Sequence, residues 1–504
     1  NKKAHWVSDD GVIMAQINIP CQIFVLEDSD WNCHHPPEGF RTFGRVIILT
    51  VGRTRHFIIY SIHDILQERN AVADTPELNS IIAQAQKEEE LGIPPAIVND
   101  LVLRILFNEG DVSVGRLTDI IKVHAQILDD ILTKMQKEQM VEVAKAGAIG
   151  RLSYVYRLTD DGTRRSRDAF ERSQYIGAAP VSIDAYSKAI LLQTSGSREV
   201  GPEDVKAAIA HLILPEGFHR RIGPAVNAGT SIFLYGPPGN GKTTVAQAIA
   251  KLLAGTDPIW VPYCITIGGQ IVQVVDPLVH IPIKMDTKLL GEKYGQPDKR
   301  WGLFQRPAVM VGGELKMDAL DLRFDPIAKF YEGPLQLKAN GGMFLIDDFG
   351  RQQVSPQDLL NRWIVPLESA FDFLRLQTGQ TIQVPFKQLI IFSTNLDPAQ
   401  LVDGAFLRRI QMKVEVSSPD EKMFYQIFAK MCEIYKVAFD KDSFVHLVQK
   451  WYREPKRTLQ SVHPRDIIKT VVSICNYEGT PPKLTPALID EACRSYFVDL
   501  KQPQ

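Results

Sequence analysis

The chain has 504 residues, 45% of them hydrophobic and 23% charged, the composition of ordinary folded protein in roughly two to four domains. A formal net charge of -2 excludes a whole-chain basic field, so only a local basic face could serve nucleic acid. Six scattered cysteines (Cys21, Cys33, Cys264, Cys432, Cys475 and Cys493) without a CxxC pair exclude a disulfide scaffold and suit reduced thiols in the cytoplasm.

Residues 1–60 hold short apolar runs between Gly, Pro, Asn and Asp, and predict a small β-rich module. The opening Asn1-Lys2-Lys3 is not followed by the apolar stretch of a signal peptide, and no apolar run is long enough to predict a membrane span. Cys33-His34-His35, with Cys21 upstream, has the residue types of a metal site, but adjacent ligands rarely face one ion and the spacing fits no common zinc pattern. Residues 61–95 read as a polar helical linker ending at Gly92 and Pro94-Pro95. Over 96–175, three amphipathic helices followed by two strands predict a winged-helix-like domain. Its third helix sets Asp129, Asp130 and Glu138 against Lys134 and Lys137, while positive charge collects at Arg151, Arg157, Arg164, Arg165 and Arg167. The uses left open are DNA binding through the wing, which the acidic helix disfavours, and docking to protein or a purely structural role. Residues 176–214 read as a linker and a helix, 215–416 as alternating strands and helices, and 417–504 as a helical lid.

The strongest signal is "SIFLYGPPGNGKTTVAQAIAKLL", an apolar strand that runs through Gly236, Pro237, Pro238, Gly239, Asn240, Gly241, Lys242, Thr243 and Thr244 into a helix. G-x-x-x-x-G-K-[ST] in that context binds a nucleotide triphosphate. The glycines let successive N–H groups face phosphate, and the helix N-terminus adds its positive end. Lys242 supplies charge to the β- and γ-phosphates, and the Thr243 hydroxyl suits Mg²⁺. A second apolar strand in "GGMFLIDDFG" delivers Asp347 and Asp348, the pattern of a carboxylate carried to that metal.

With these motifs the chain resembles an AAA+ ATPase. "LIIFSTNLDP" is similar to the family's first sensor, which points to Asn395. "AFLRRIQMKVEV" resembles the segment of an arginine finger, which points to Arg408 or Arg409. "HPRDIIKT" resembles the second sensor, which points to Arg465 on a lid helix. "EGPLQLKANGGMFLIDDFG" with "LLNRWIVPLE" is similar to the helix-2-insert branch that includes magnesium chelatase, MoxR-type and enhancer-binding ATPases. The fold the resemblance implies is α/β: a P-loop AAA+ parallel sheet core with a C-terminal helical lid, preceded by the winged-helix-like domain and the small β-rich region.

The roles implied are these. Backbone N–H groups of 239–244 hold the β-phosphate, and Thr243 and Asp347 hold Mg²⁺. Asp348 polarises the attacking water, which Asn395 orients. Arg408 or Arg409 acts from a neighbouring subunit, and Arg465 reads the γ-phosphate. A finger in trans implies a ring or helical homo-oligomer, in this family usually a hexamer. The expected function is ATP hydrolysis that drives remodelling or assembly of a protein partner. A nucleic-acid-linked ATPase or regulator and a slow nucleotide switch are the alternatives. Asp at 348, where such strands commonly carry Glu, reads as tuning toward slower, assembly-dependent hydrolysis. Finally, "CITIGGQIVQVV" and "AVMVGGELKM" each alternate about Gly-Gly and predict two hairpins with tips at Gly268-Gly269 and Gly312-Gly313.

Overall fold

The computed structural model describes residues 76–147, 151–195, 200–229, 231–284, 296–397, 408–410 and 412–497, together with the backbone of five strands among the first 59 residues. The chain forms two units, Asn1–Ala71 and Val72–Gln504. In the first, Ala4–Ser8 pairs antiparallel with Gly11–Ala15. Val46–Val51 pairs antiparallel with Ile23–Leu26 on one side and Thr54–Ile59 on the other. The Cys33-His34-His35 metal reading lies outside the described residues.

At the centre of the second unit is a sheet of five parallel strands. Its order is Ala308–Val311, Met343–Ile346, Leu389–Thr394, Ser231–Tyr235, Met412–Glu415. Strands covered on both faces read as continuous apolar runs. "SIFL", "MFLI" and "LIIF" do so, and their side chains divide by the two-residue period of a strand. Ile232, Leu234, Met343, Leu345 and Ile391 face one core with the helices Phe218–Ala228 and Lys242–Ala254. Phe233, Phe344, Ile346, Ile390 and Phe392 face the other, where Trp363 of the helix Pro356–Ser369 is fully buried. This is an α/β core with a parallel sheet and a phosphate loop, the fold class expected from the sequence. It places the C-terminal ends of Ser231–Tyr235, Met343–Ile346 and Leu389–Thr394 side by side, which is where an open parallel sheet binds ligands.

Three sequence expectations need correction. The described part of the 61–95 segment is not a free linker. The helix Pro76–Ile81 and the residue after it bury Leu78 and Ile82 completely beside Tyr186, Ile190 and Val261, and Ala83 bridges to Pro297. Burial of each such side chain contributes about 1.5–3 kcal/mol, enough to fix the segment. Nor does the 176–214 segment begin as a mere linker. Val181–Ser182 pairs parallel with Cys264–Ile267, and the helix Ile183–Ser195 follows. Buried Gln193 clasps Trp260 from both ends of its amide, accepting from Trp260 N–H at 2.7 Å and donating to its carbonyl at 3.0 Å. The cause of both errors is the same: the partners lie far along the chain, where local pattern cannot show them. Thirdly, Gly312-Gly313 is not a hairpin tip. Ala308–Val311 is the parallel edge strand of the central sheet, and Met317–Leu320 follows as a short helix. Gly268-Gly269 does form a tight turn, with φ of 55° and 80°.

That turn belongs to a second sheet, ordered Arg323–Asp325, Phe330–Glu332, Gln270–Gln273, Cys264–Ile267, Val181–Ser182. Four of its strands are inserted between the phosphate-loop helix and Met343–Ile346, and the fifth, Val181–Ser182, comes from before the phosphate loop. Against this sheet packs a module of helices Pro95–Glu109, Val114–Ile121 and Ala125–Lys137 with strands Val112–Ser113, Val141–Lys145 and Val155–Leu158, whose core extends to Cys264 and Ile271. Helices Glu421–Ile434, Lys441–Val448, His463–Tyr477 and Pro486–Tyr496 close around their own core at the C-terminal end.

Candidate nucleotide site

The phosphate loop needs glycine where the backbone turns back on itself. Gly236 has φ 137°, and a Cβ there would lie 2.4 Å from the Val416 carbonyl oxygen. Gly239 has φ 75°, and a Cβ would meet Val462 and Gln460 at under 3 Å. The second contact brings the C-terminal helices onto the loop. Val462 N–H donates to the Gly239 carbonyl at 2.8 Å, and Ser461 N–H to Asn240 Oδ1 at 3.1 Å. Asn240 Nδ2 in turn donates to Ser418 Oγ at 3.2 Å. Buried Asn240 thus ties the loop to the lid.

Lys242 opens the helix that follows. Its ammonium donates to the carbonyls of Gly236 and Pro237, at 2.8 and 2.9 Å, and to Asn395 Oδ1 at 2.6 Å. All three protons are engaged. Burial lowers its pKa, opposed by the charges of Asp348 and Asp347. Thr243 Oγ1 donates to Asp347 Oδ2 at 2.7 Å. Asn395 Nδ2 donates to Asp348 Oδ1 at 3.0 Å. Five of the residues singled out in the sequence therefore form one connected set at the ends of three strands.

These residues line a cleft of about 420 Å³ with Pro238–Thr244 on its floor. Arg465 lines it from the lid, its Nε 2.8 Å from Asp466 Oδ1, and that pairing raises its pKa. His211, Leu212, Ile213 and Leu214 line another wall, with Ile427, Lys430 and Met431. The sequence reading missed this wall by continuing the helix Pro202–Ile209 through Leu214. Pro215 was the available signal, because the residue before a proline is pushed out of helical conformation.

Arg408 and Arg409 are not in this cleft. Ser231, the first residue of the phosphate-loop strand, donates to the Arg409 carbonyl at 3.4 Å. Five residues of strand, roughly 15 Å, separate that end from the loop. Arg408 is exposed, and Arg409 pairs with Glu368 at 2.5 Å.

Among the described residues no three His, Cys, Asp or Glu side chains cluster as a metal cage. Thr243 and Asp347 nevertheless fit Mg²⁺, which takes hard oxygen donors and commonly only one or two from protein, the rest coming from phosphates and water.

The family model for the ATPase family associated with various cellular activities (AAA) matches residues 232–281, the phosphate-loop strand and helix and the first insert hairpin. A second model, a domain of unknown function (DUF8689), matches residues 420–495, the C-terminal helices. No curated protein matches the chain. Among solved structures, a mutant of RuvB from Thermotoga maritima is 13% identical, covering 62% of this chain and 72% of its own, with a TM-score of 0.32. NtrX from Brucella abortus, in complex with ATP, is 12% identical, covering 68% and 67%, with a TM-score of 0.35.

Proposed function

We propose that the chain is an ATPase of the AAA+ kind, which binds ATP with Mg²⁺ and hydrolyses it to drive remodelling or assembly of a protein partner; the parallel sheet with its phosphate loop and the AAA match over residues 232–281 support this. The observation that carries this reading is the bonded set Lys242–Asn395–Asp348 beside Thr243–Asp347 in one cleft. Phosphoryl transfer needs positioning and charge neutralisation more than covalent chemistry, and each residue fits one part. Lys242 exchanges its present acceptors for the β- and γ-phosphate oxygens. Thr243 and Asp347 would hold Mg²⁺, which would supply positive charge to neutralise the phosphates. Asp348 accepts the proton side of the attacking water, and Asn395 keeps that carboxylate aimed. Arg465 contacts the γ-phosphate from the lid.

Arg408 or Arg409 serves a second subunit, a reading supported by their place at the far end of their own sheet. The active form is accordingly a ring or helical homo-oligomer, a hexamer by resemblance. An arginine supplied in trans is worth about 10³–10⁵ in rate where measured. The test is ATP turnover against protein concentration: it rises with assembly, and a rate per subunit that is constant on dilution counts against the trans finger.

The N-terminal module, read as winged-helix-like, selects the partner, and protein is favoured over nucleic acid. Arg151 pairs with Asp129 at 3.2 Å, Arg157 with Asp111 at 3.1 Å, and Arg164 with Asp161. Arg172 pairs with Asp100 at 2.7 Å. Arginines already neutralised by their own chain release few counterions from a duplex.

A further inference from the structure

We propose that Gln352, which no motif singles out, is a positioning residue for hydrolysis, and that the backbone it holds is the reason residue 348 is aspartate. The inference rests on the ATPase reading above and goes beyond it.

Asp348 has φ 50°. That left-handed conformation disfavours side chains other than Gly, with Asp and Asn the most tolerant of the rest. The conformation is fixed by bonds on both sides. The Gln352 amide donates from Nε2 to the Asp347 carbonyl at 2.8 Å and accepts Gly350 N–H on Oε1 at 2.8 Å. It thereby brackets the turn 347–350 from within. Next to it, Phe349 N–H donates to the Ser393 carbonyl at 2.7 Å, and Thr394 Oγ1 donates to the Phe349 carbonyl at 2.7 Å. These bonds tie the turn to the strand that delivers Asn395. Asp348 is left with its carboxylate on Asn395 Nδ2 and its N–H on Asp347 Oδ1 at 3.1 Å.

Gln352 does not line the cleft. Its influence on chemistry passes through the turn. The short acid is then set by its backbone rather than chosen to slow the reaction: a glutamate at 348 would sit in a conformation it tolerates less well and would carry its carboxylate past Asn395.

The test measures kcat for ATP and the dissociation constant of a fluorescent ATP analogue on full-length wild type, Gln352→Met, Gln352→Glu and Asp348→Glu. Gln352→Met keeps the volume and loses both bonds. Gln352→Glu keeps the acceptor for Gly350 and loses the donor. Expected are a fall in kcat of about ten-fold or more for Gln352→Met, as displaced catalytic groups give, a smaller fall for Gln352→Glu, and nucleotide affinity within about two-fold throughout. Asp348→Glu is expected to be slower than wild type. A Gln352→Met protein with wild-type kcat, or one whose affinity falls in step with kcat, overturns the positioning role. An Asp348→Glu protein faster than wild type overturns the backbone argument, and does so even if the Gln352 variants fail to fold. Wild type that binds ATP without turning it over overturns the hydrolytic reading itself, and this inference with it.

Discussion

The Lys242 ammonium and the Asn395 side chain are 2.6 Å apart, and the other end of the same amide holds Asp348. The phosphate loop and the second acid are thus linked through one residue at the end of the strand between them. On the proposed reading, phosphate at Lys242 competes with Asn395 for the ammonium, and that competition would communicate occupancy of the loop to the acid. Replacing Asn395 by Ala is expected to lower turnover by about 10²-fold, the scale for a misplaced catalytic group, with nucleotide affinity nearly unchanged. Single-turnover phosphate release beside a binding titration checks it; equal losses in both would place Asn395 in binding alone.

Lys242→Ala is expected to weaken ATP binding by at least about 100-fold, because a buried charge-assisted contact to phosphate is worth roughly 2–3 kcal/mol or more. Titration with a fluorescent analogue reads this directly. Affinity within a few-fold of wild type would move the nucleotide elsewhere.

Arg409→Ala is expected to bind ATP normally and to lose turnover. Mixed with Lys242→Ala protein, it should regain part of the activity, since a subunit with an intact site then meets a neighbour with an intact finger. Mixtures no more active than their components would contradict a site shared between subunits.

The segment containing Pro76–Ile81 is expected to act as core. Leu78→Ala should destabilise the chain by about 2–5 kcal/mol, as for other fully buried leucines, and lower the midpoint of urea unfolding. A change of less than about 0.5 kcal/mol would restore the linker reading.

Stability is expected to fall in mild acid. Burial holds His463 and His280 at pKa values of about 4, below the ordinary value of 6.5. Each stays neutral when folded and takes up a proton on unfolding. Their contribution is present above the unfolded pKa and is lost as pH falls from about 6.5 to about 4. Melting temperatures followed over that window should drop, and the drop should be shallower when both residues are replaced by Gln.

What the sequence made legible follows the reach of each interaction. The phosphate loop is a contiguous motif, and "SIFL", "MFLI" and "LIIF" announce themselves by apolar continuity, so the three middle strands of the central sheet and the acids that follow Met343–Ile346 were readable. Leu78, Val181 and Gln193 were not, since their partners Val261, Ile265 and Trp260 lie far away in the chain. Gly312-Gly313 misled because a short apolar run before a glycine pair looks alike in a hairpin and in a parallel edge strand. Gln352 was invisible, because nothing in a residue's type reveals that its amide brackets a turn.

Whether the cleft binds and hydrolyses ATP is decided by phosphate release in the presence of Mg²⁺, measured on wild type beside Asp347→Asn and Lys242→Ala. Wild type is expected to release phosphate steadily, and chelation of Mg²⁺ or either substitution to abolish the release. Release that survives both substitutions, or a wild type that yields no phosphate at any protein concentration, would contradict hydrolysis in this cleft.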